Sequence, residues 1–323
     1  MTTVVVSHNV KKLNKMAQHT LSYLKNTNRT FDNILDSVVL KNNKNIIFKW
    51  NYITSGYPIV QNLGNSADGV LATEDRFGMI FPGPNGEMYP ASACSIGAYT
   101  VAGKTPQIDG AVPATDTATT AAGYDIQMDC ETAAATGLEV VLGGSPLGSV
   151  GNKFTVGTNS GYIDATFFTA DWTDFDGVGI GFRKVEDFND GHVPILDAGA
   201  ADDGIYTDFA AYGCMTDTDV RTMTDLNNSG TSVVTDVTQV PVDGQNMRLR
   251  ISLAKSGAVT YSFVNNAVAG AGTLAAPAGA VAYTFDDGDV VVPYLFTSSD
   301  TGAADELFLK DVEINREGEV AWV

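Results

Sequence analysis

From Tyr124 onward the chain is written in short runs of period two, with turn residues between them and no helical period over two hundred residues. Twelve runs read as strands: YDIQMD, GLEVVLG, KFTVG, GYIDATFFTA, GVGIGFRK, YTDFAAYG, VRTMTDLN, SVVTDVTQV, NMRLRISLA, AVTYSFVN, DVVVPYLFT and ELFLKDVEI. The links GNK, TDFDG, NNSG, VDGQ, KSG and FDDGD supply the Gly, Asn and Asp that tight turns require. A chain of this kind has few choices. Strands that expose one apolar face each must bury it against a second sheet or close into a barrel. In NMRLRISLA, Met247, Leu249, Ile251 and Leu253 point one way and Arg248, Arg250 and Ser252 the other. VVVPYLFT is apolar on both faces, as a central strand is, although Pro293 removes one ladder donor. Leu307 and Leu309 are out of phase with Val312 and Ile314, which predicts a bulge near Lys310–Asp311.

The first 123 residues differ. Val10, Leu13, Met16, Ala17, Leu21 and Leu24 recur at helical spacing, and Phe31, Ile34, Leu35, Val38 and Val39 repeat the pattern after NTNRT. Residues 1–45 therefore read as a helical arm. IIFKWNYI (46–53) and GMIF (78–81) are strands. The Gly/Pro/Ala/Thr-rich stretch 82–123 reads as long loop, so that 46–123 links the arm to a body spanning 124–323.

Charge follows the same division. Residues 1–50 hold eight Lys/Arg against Asp32 and Asp36, a net of +6, whereas the remainder carries −25, for −19 overall. Such a body repels nucleic acid and anionic lipid, and the arm suits something acidic. The arm lacks the interleaved aromatics of a nucleic-acid binder. No stretch runs 18 apolar residues and the N-terminus lacks a signal-peptide h-region, so the expectation is a protein made in the cytoplasm and not inserted in a membrane. Cys94, Cys130 and Cys214 have no metal-ligand or disulfide spacing.

Signals for chemistry are sparse. Paired carboxylates for glycoside cleavage would show as a Glu-x-Asp-x-x-Glu string, which is missing; Glu131 and Glu139 lie eight apart, and EDFND, with Glu186 and Asp190, reads as turn. His192 is the one histidine of the body. No P-loop or nucleophile elbow occurs. Calcium is the single cofactor to weigh: DWTDFDG offers Asp171, Asp174 and Asp176, and DAGAADDG and FDDGD offer similar clusters, none with EF-hand spacing. Trp172, between two of those aspartates, is the candidate sugar platform, with a core tryptophan capping the sandwich as the competing reading.

The run MRLRISLAKSGAVTYSFVNN, followed by FDDGDVVVPYLFTSSD and ELFLKDVEI, resembles the closing strands of concanavalin-A-like sandwich domains, the lectin and glucanase jelly rolls, over roughly 124–315. The resemblance implies a two-sheet antiparallel sandwich and carries no catalytic motif. An acidic Ala/Gly/Thr-rich body on a basic helical arm is also similar to virion structural proteins of marine bacteriophages. That likeness implies a non-enzymatic decoration or fibre-type subunit on a virion, partnered by other virion proteins and sister copies. The arm would dock through Lys11, Lys12, Lys15, Leu13, Ala17, Leu21 and Leu24. The alternatives are a carbohydrate-binding or receptor-binding module and, less favoured, a glycoside hydrolase or lyase.

Overall fold

In the computed structural model the described residues are 46–51, 55, 59–62, 76–83, 88–97, 107–109, 125–127, 136–142, 153–169, 171–172, 177–186, 206–215, 219–227, 233–266, 268–280, 282–299 and 307–318. Among them every regular element is a strand. The chain divides into two compact units, Met1–Asn45 and Ile46–Val323. The helical arm and its seven docking residues lie outside the described residues.

Two antiparallel sheets form the second unit. In the first, β16 (Tyr283–Thr284), β15 (Ala258–Asn266), β14 (Asn246–Leu253), β9 (Ser160–Phe168), β18 (Phe308–Glu317), β6 (Asp125–Gln127) and β5 (Gln107–Asp109) lie side by side, and β1 (Ile46–Asn51) also pairs with β18. The second runs β13 (Val233–Gln239), β12 (Asp219–Asp225), β11 (Phe209–Met215), β10 (Gly177–Lys184), β17 (Val290–Ser299), β7 (Thr136–Leu142), β4 (Met88–Gly97), β3 (Arg76–Pro82) and β2 (Ile59–Asn62), with β8 (Phe154–Thr155) on β17. In each sheet, runs of sequence neighbours are joined in the middle by strands distant in sequence, β14–β9–β18–β6 in one and β10–β17–β7–β4 in the other, so neither half of the chain closes its own core.

One apolar core joins the sheets. Phe48, Trp50, Ile163, Leu249, Ile251 and Ile314 from the eight-stranded sheet meet Val140, Val178, Ile180, Phe182, Tyr212 and Leu295 from the ten-stranded one. The β14 alternation is as the sequence predicts, with Met247, Leu249, Ile251 and Leu253 buried. The predicted bulge is also present: Leu309 pairs with Phe167 and Asp311 with Thr166, which leaves Lys310 as the extra residue. That slip puts Leu309, Val312 and Ile314 on the core side together.

Two expectations change. The stretch read as loop after Pro82 contains β4, which is paired on both sides, with β3 and with β7. Its sequence, MYPASACSIG, is mostly small residues and a proline, which have little intrinsic strand preference, and two flanking ladders override that. The boundary at 123/124 has no counterpart in the sheets, since β1 pairs with β18 and β4 with β7.

Pro293 sits where its missing donor matters least. Val290 accepts from the Val185 amide on the β10 side, so by alternation the Pro293 nitrogen faces the opposite flank. There the partners jump from β8 at Val291 to β7 at Tyr294. The free edge at β13 is blunted in a different way. Thr238 has φ 57°, the register slips there, and its amide donates to Asp236 Oδ1 at 2.7 Å. A bulge and a charge on an edge strand disfavour addition of a further strand.

Candidate functional site: a charged grid on the eight-stranded sheet

The core side of β14, β9 and β18 takes most of their apolar residues, so alternation turns Arg248 and Arg250, Tyr162, Asp164 and Thr166, and Asp311 and Glu313 to the outer face. Lys49 and Asn51 of β1 complete the row. Register puts Asp164 between Arg250 and Glu313, Lys49 against Glu313, and Asn51 against Asp311.

Asp164 is the hub. Arg248 donates to both its oxygens, Nε and Nη2 each at 2.9 Å, and Arg250 Nε donates at 2.8 Å. Arg248 Nη1 also ties in the Gly270 carbonyl at 2.8 Å. Glu313 accepts from Tyr162 Oη and Lys49 Nζ, each at 2.6 Å, and the Arg250 guanidinium stacks 4.1 Å from the Tyr162 ring centre. Asp311 accepts from Asn51 Nδ2 at 2.7 Å.

The two carboxyls on β18 titrate in opposite directions. Burial pushes Asp311 up to about 6, against the Asn51 hydrogen bond and with help from nearby Asp164. Burial also pushes Glu313 upward, but its bonds from Lys49 and Tyr162 outweigh that and hold it below the ordinary range. Opposed carboxyls are what acid–base chemistry would use. Here, however, both oxygens of Asp164 and both of Glu313 are already held by donors. Three carboxylates face three cations, so the grid is an almost neutral mixture of donors and acceptors. It suits polar recognition or strand clamping better than bond cleavage.

The far face of the ten-stranded sheet holds a second apolar layer. Val141, Phe209, Met223, Val292, Tyr294 and Phe296 are buried there. Tyr294 and Phe296 lie over Gly181 and Gly179, where an added Cβ would come within 2.6 Å of each ring. Inside this layer Arg183 Nε donates to Glu139 at 2.7 Å, the Tyr206 hydroxyl donates to the other Glu139 oxygen, and the guanidinium lies 4.3 Å from the Tyr206 ring centre. Both charged side chains are 0% exposed. Glu139 is therefore an ion-pair partner; Glu131 lies outside the described residues. The pair's signal in the sequence is a lone acid inside GLEVVLG and an arginine that continues the apolar run of GVGIGF, charges that a buried strand tolerates only as a pair.

The remaining candidates are placed less favourably for ligands. Trp172 is 1% exposed, belongs to the main core, and donates from Nε1 to the Gln245 carbonyl at 3.3 Å. A stacking platform needs an open face, and this ring has none, so the core reading replaces the sugar platform. Asp171 is half-buried, and Asp174 and Asp176 lie outside the described residues. Among the described residues no three His, Cys, Asp or Glu side chains converge as a metal group. In the FDDGD turn a lysine occupies the acidic centre: Lys184 Nζ lies 3.0 Å from Asp208 and 2.9 Å from Asp289. Glu186 accepts from Thr207 and serves that local loop; its sequence partner Asp190 lies outside the described residues.

No protein-family model matches the chain, and no curated protein matches its sequence. Solved structures do. The metal-free form of lectin I-B4 from Griffonia simplicifolia is 10% identical, covering 81% of this chain and 100% of its own with a TM-score of 0.42. Lectin UEA-II complexed with galactose is 8% identical over 84% and 98%, at 0.41. A Shewanella oneidensis protein of unknown function is 8% identical over 89% and 96%, at 0.42.

Proposed function

We propose that this chain is a non-enzymatic virion structural protein, a capsid decoration or fibre-type subunit that docks through residues 1–45 and presents the sandwich outward. The observation that carries the reading is the charge division. A first segment of net +6 precedes a body of −25, and the boundary between the two compact units, at Asn45, falls close to where the sign changes. A basic segment with an apolar helical stripe fits an acidic protein surface better than nucleic acid or membrane, and its partners would be other virion proteins and sister copies. The sandwich supports the non-catalytic half of the reading, because Glu139, Asp164 and Glu313 all sit in ion pairs.

Co-sedimentation with particles lacking the protein tests it. Lys11, Lys12 and Lys15 changed to Gln weaken docking in a salt-sensitive way, because exposed charges are screened beyond about 8 Å at physiological salt. Leu13, Ala17, Leu21 and Leu24 changed to Ser weaken it at any salt, through lost apolar burial worth roughly 25 cal/mol per Å². Docking indifferent to both sets contradicts the proposal. The outer grid favours a second reading, carbohydrate binding, because its part-exposed Lys49 and Arg250 can still donate to sugar hydroxyls. Glycan-array signal abolished by Arg250→Ala supports that reading over the first.

A further inference from the structure

The flank where both sheets end carries no charge over a long stretch. Residues 256–285 contain no Lys, Arg, Asp or Glu, and neither do 237–242, in a body of net −25. The fold brings these two segments together. After β15 the chain turns back along its free edge, where Phe263 and Ala275 exchange backbone hydrogen bonds of 2.9 and 3.1 Å. Farther on, Gly279 lies against β13, its Cβ position 3.5 Å from the Asp236 carbonyl. At the end of the same flank, Asn265 Nδ2 donates to the Val240 carbonyl at 2.7 Å. Val240, Val242 and Val268 stand out from this surface at 51%, 42% and 51% exposure. They are three of the seven large apolar side chains that the described residues expose, and around them Ala275, Ala276 and Ala278 add further small apolar area.

We infer that this flank is the contact surface for a second copy of the chain. The occupant follows from charge. Two bodies of −25 repel wherever carboxylates face each other, and like charges across an interface cost several kcal/mol. A flank whose carboxylates are confined to its rim, at the exposed Asp236 and Asp243, lets another acidic copy approach its valines with few like charges facing each other, and apolar burial then supplies the attraction. A self-complementary patch used by both partners about a two-fold axis closes such a contact. It forms through side chains, because Asp236 and the Thr238 bulge disfavour strand-to-strand addition at β13. The inference is independent of docking through residues 1–45, since none of the flank residues belongs to that segment.

Sedimentation velocity of the full chain, read as mass against concentration, is the test. The wild type sediments above the single-chain 34.1 kDa, the mass falls on dilution, and added salt raises it by screening the repulsion between the acidic bodies. Val240→Asp with Val268→Asp weakens association by at least about tenfold, or about 1.4 kcal/mol, while leaving the melting temperature unchanged. If the aspartates lower the melting temperature, Val240→Ser with Val268→Ser replaces them and is expected to weaken association less. A wild type that stays at single-chain mass up to about 0.1 mM, or folded flank variants that associate as the wild type does, overturns the inference.

Discussion

The outer faces of the two sheets solve the same problem in opposite ways. Both sheets give one face to the shared core, and each must do something with the other. On the eight-stranded sheet that face is ionic and part-open, with Lys49 39% and Arg250 28% exposed around the nearly buried Asp164. On the ten-stranded sheet it is a buried layer of aromatic and aliphatic side chains with one ion pair sealed inside. The difference shows that a charge pair's energetic role depends on its cover. Water screens the grid, so its pairs adjust the fit of strands. The sealed pair is all-or-none, because either partner alone would be a buried, uncompensated charge.

The largest effect expected from that contrast is at the sealed pair. Arg183→Met alone should cost about 3–5 kcal/mol in urea unfolding, and Glu139→Leu together with Arg183→Met should recover most of the loss. A single variant within about 1 kcal/mol of wild type would mean that the layer is wetter than its burial indicates.

Next in size is the packing of rings on glycine. Gly181→Ala forces a Cβ to within 2.6 Å of the Tyr294 ring and 2.7 Å of the Ala210 carbonyl. A cost of about 1–3 kcal/mol is expected, as for other overpacked sites. An alanine at Ser252, on the open grid face, should be nearly neutral. Equal costs at the two positions would erase the contrast between the faces.

The mildest effect lies in the grid and depends on pH. The Asp311 carboxyl titrates near 3.8 when unfolded and near 6 when folded. The folded state thus holds the proton more tightly, and stability from this group is full below about pH 4 and is lost as pH rises through 6. Asp311→Asn removes that loss. Relative to wild type it should gain roughly 1–3 kcal/mol at pH 7 and little at pH 4. A gain of the same size at both pH values would trace the effect to packing.

Much of this was legible in the sequence, because period two is a local signal. The alternation in NMRLRISLA placed Arg248 and Arg250 outside, and the phase break between Leu309 and Val312 located the bulge at Lys310. What stayed hidden was non-local. Glu139 and Arg183 are 44 residues apart, and nothing in either strand names the other. β4 is held by its neighbours, and its own residues do not favour a strand. Trp172 sits in an acidic, loop-like string, and only its hydrogen bond to Gln245, 73 residues away, and its place in the core reveal it as buried. The partners of Asp164 also come from afar, since Arg248 and Arg250 lie on a strand more than eighty residues away.

The proposal that residues 1–45 dock the sandwich is tested most directly by deleting them and measuring co-sedimentation with particles that lack the protein. β1 begins at Ile46, so every described strand is retained. The expected result is a folded, β-rich body that no longer sediments with the particles while the full chain does. A folded body that co-sediments as tightly as the full chain would contradict it.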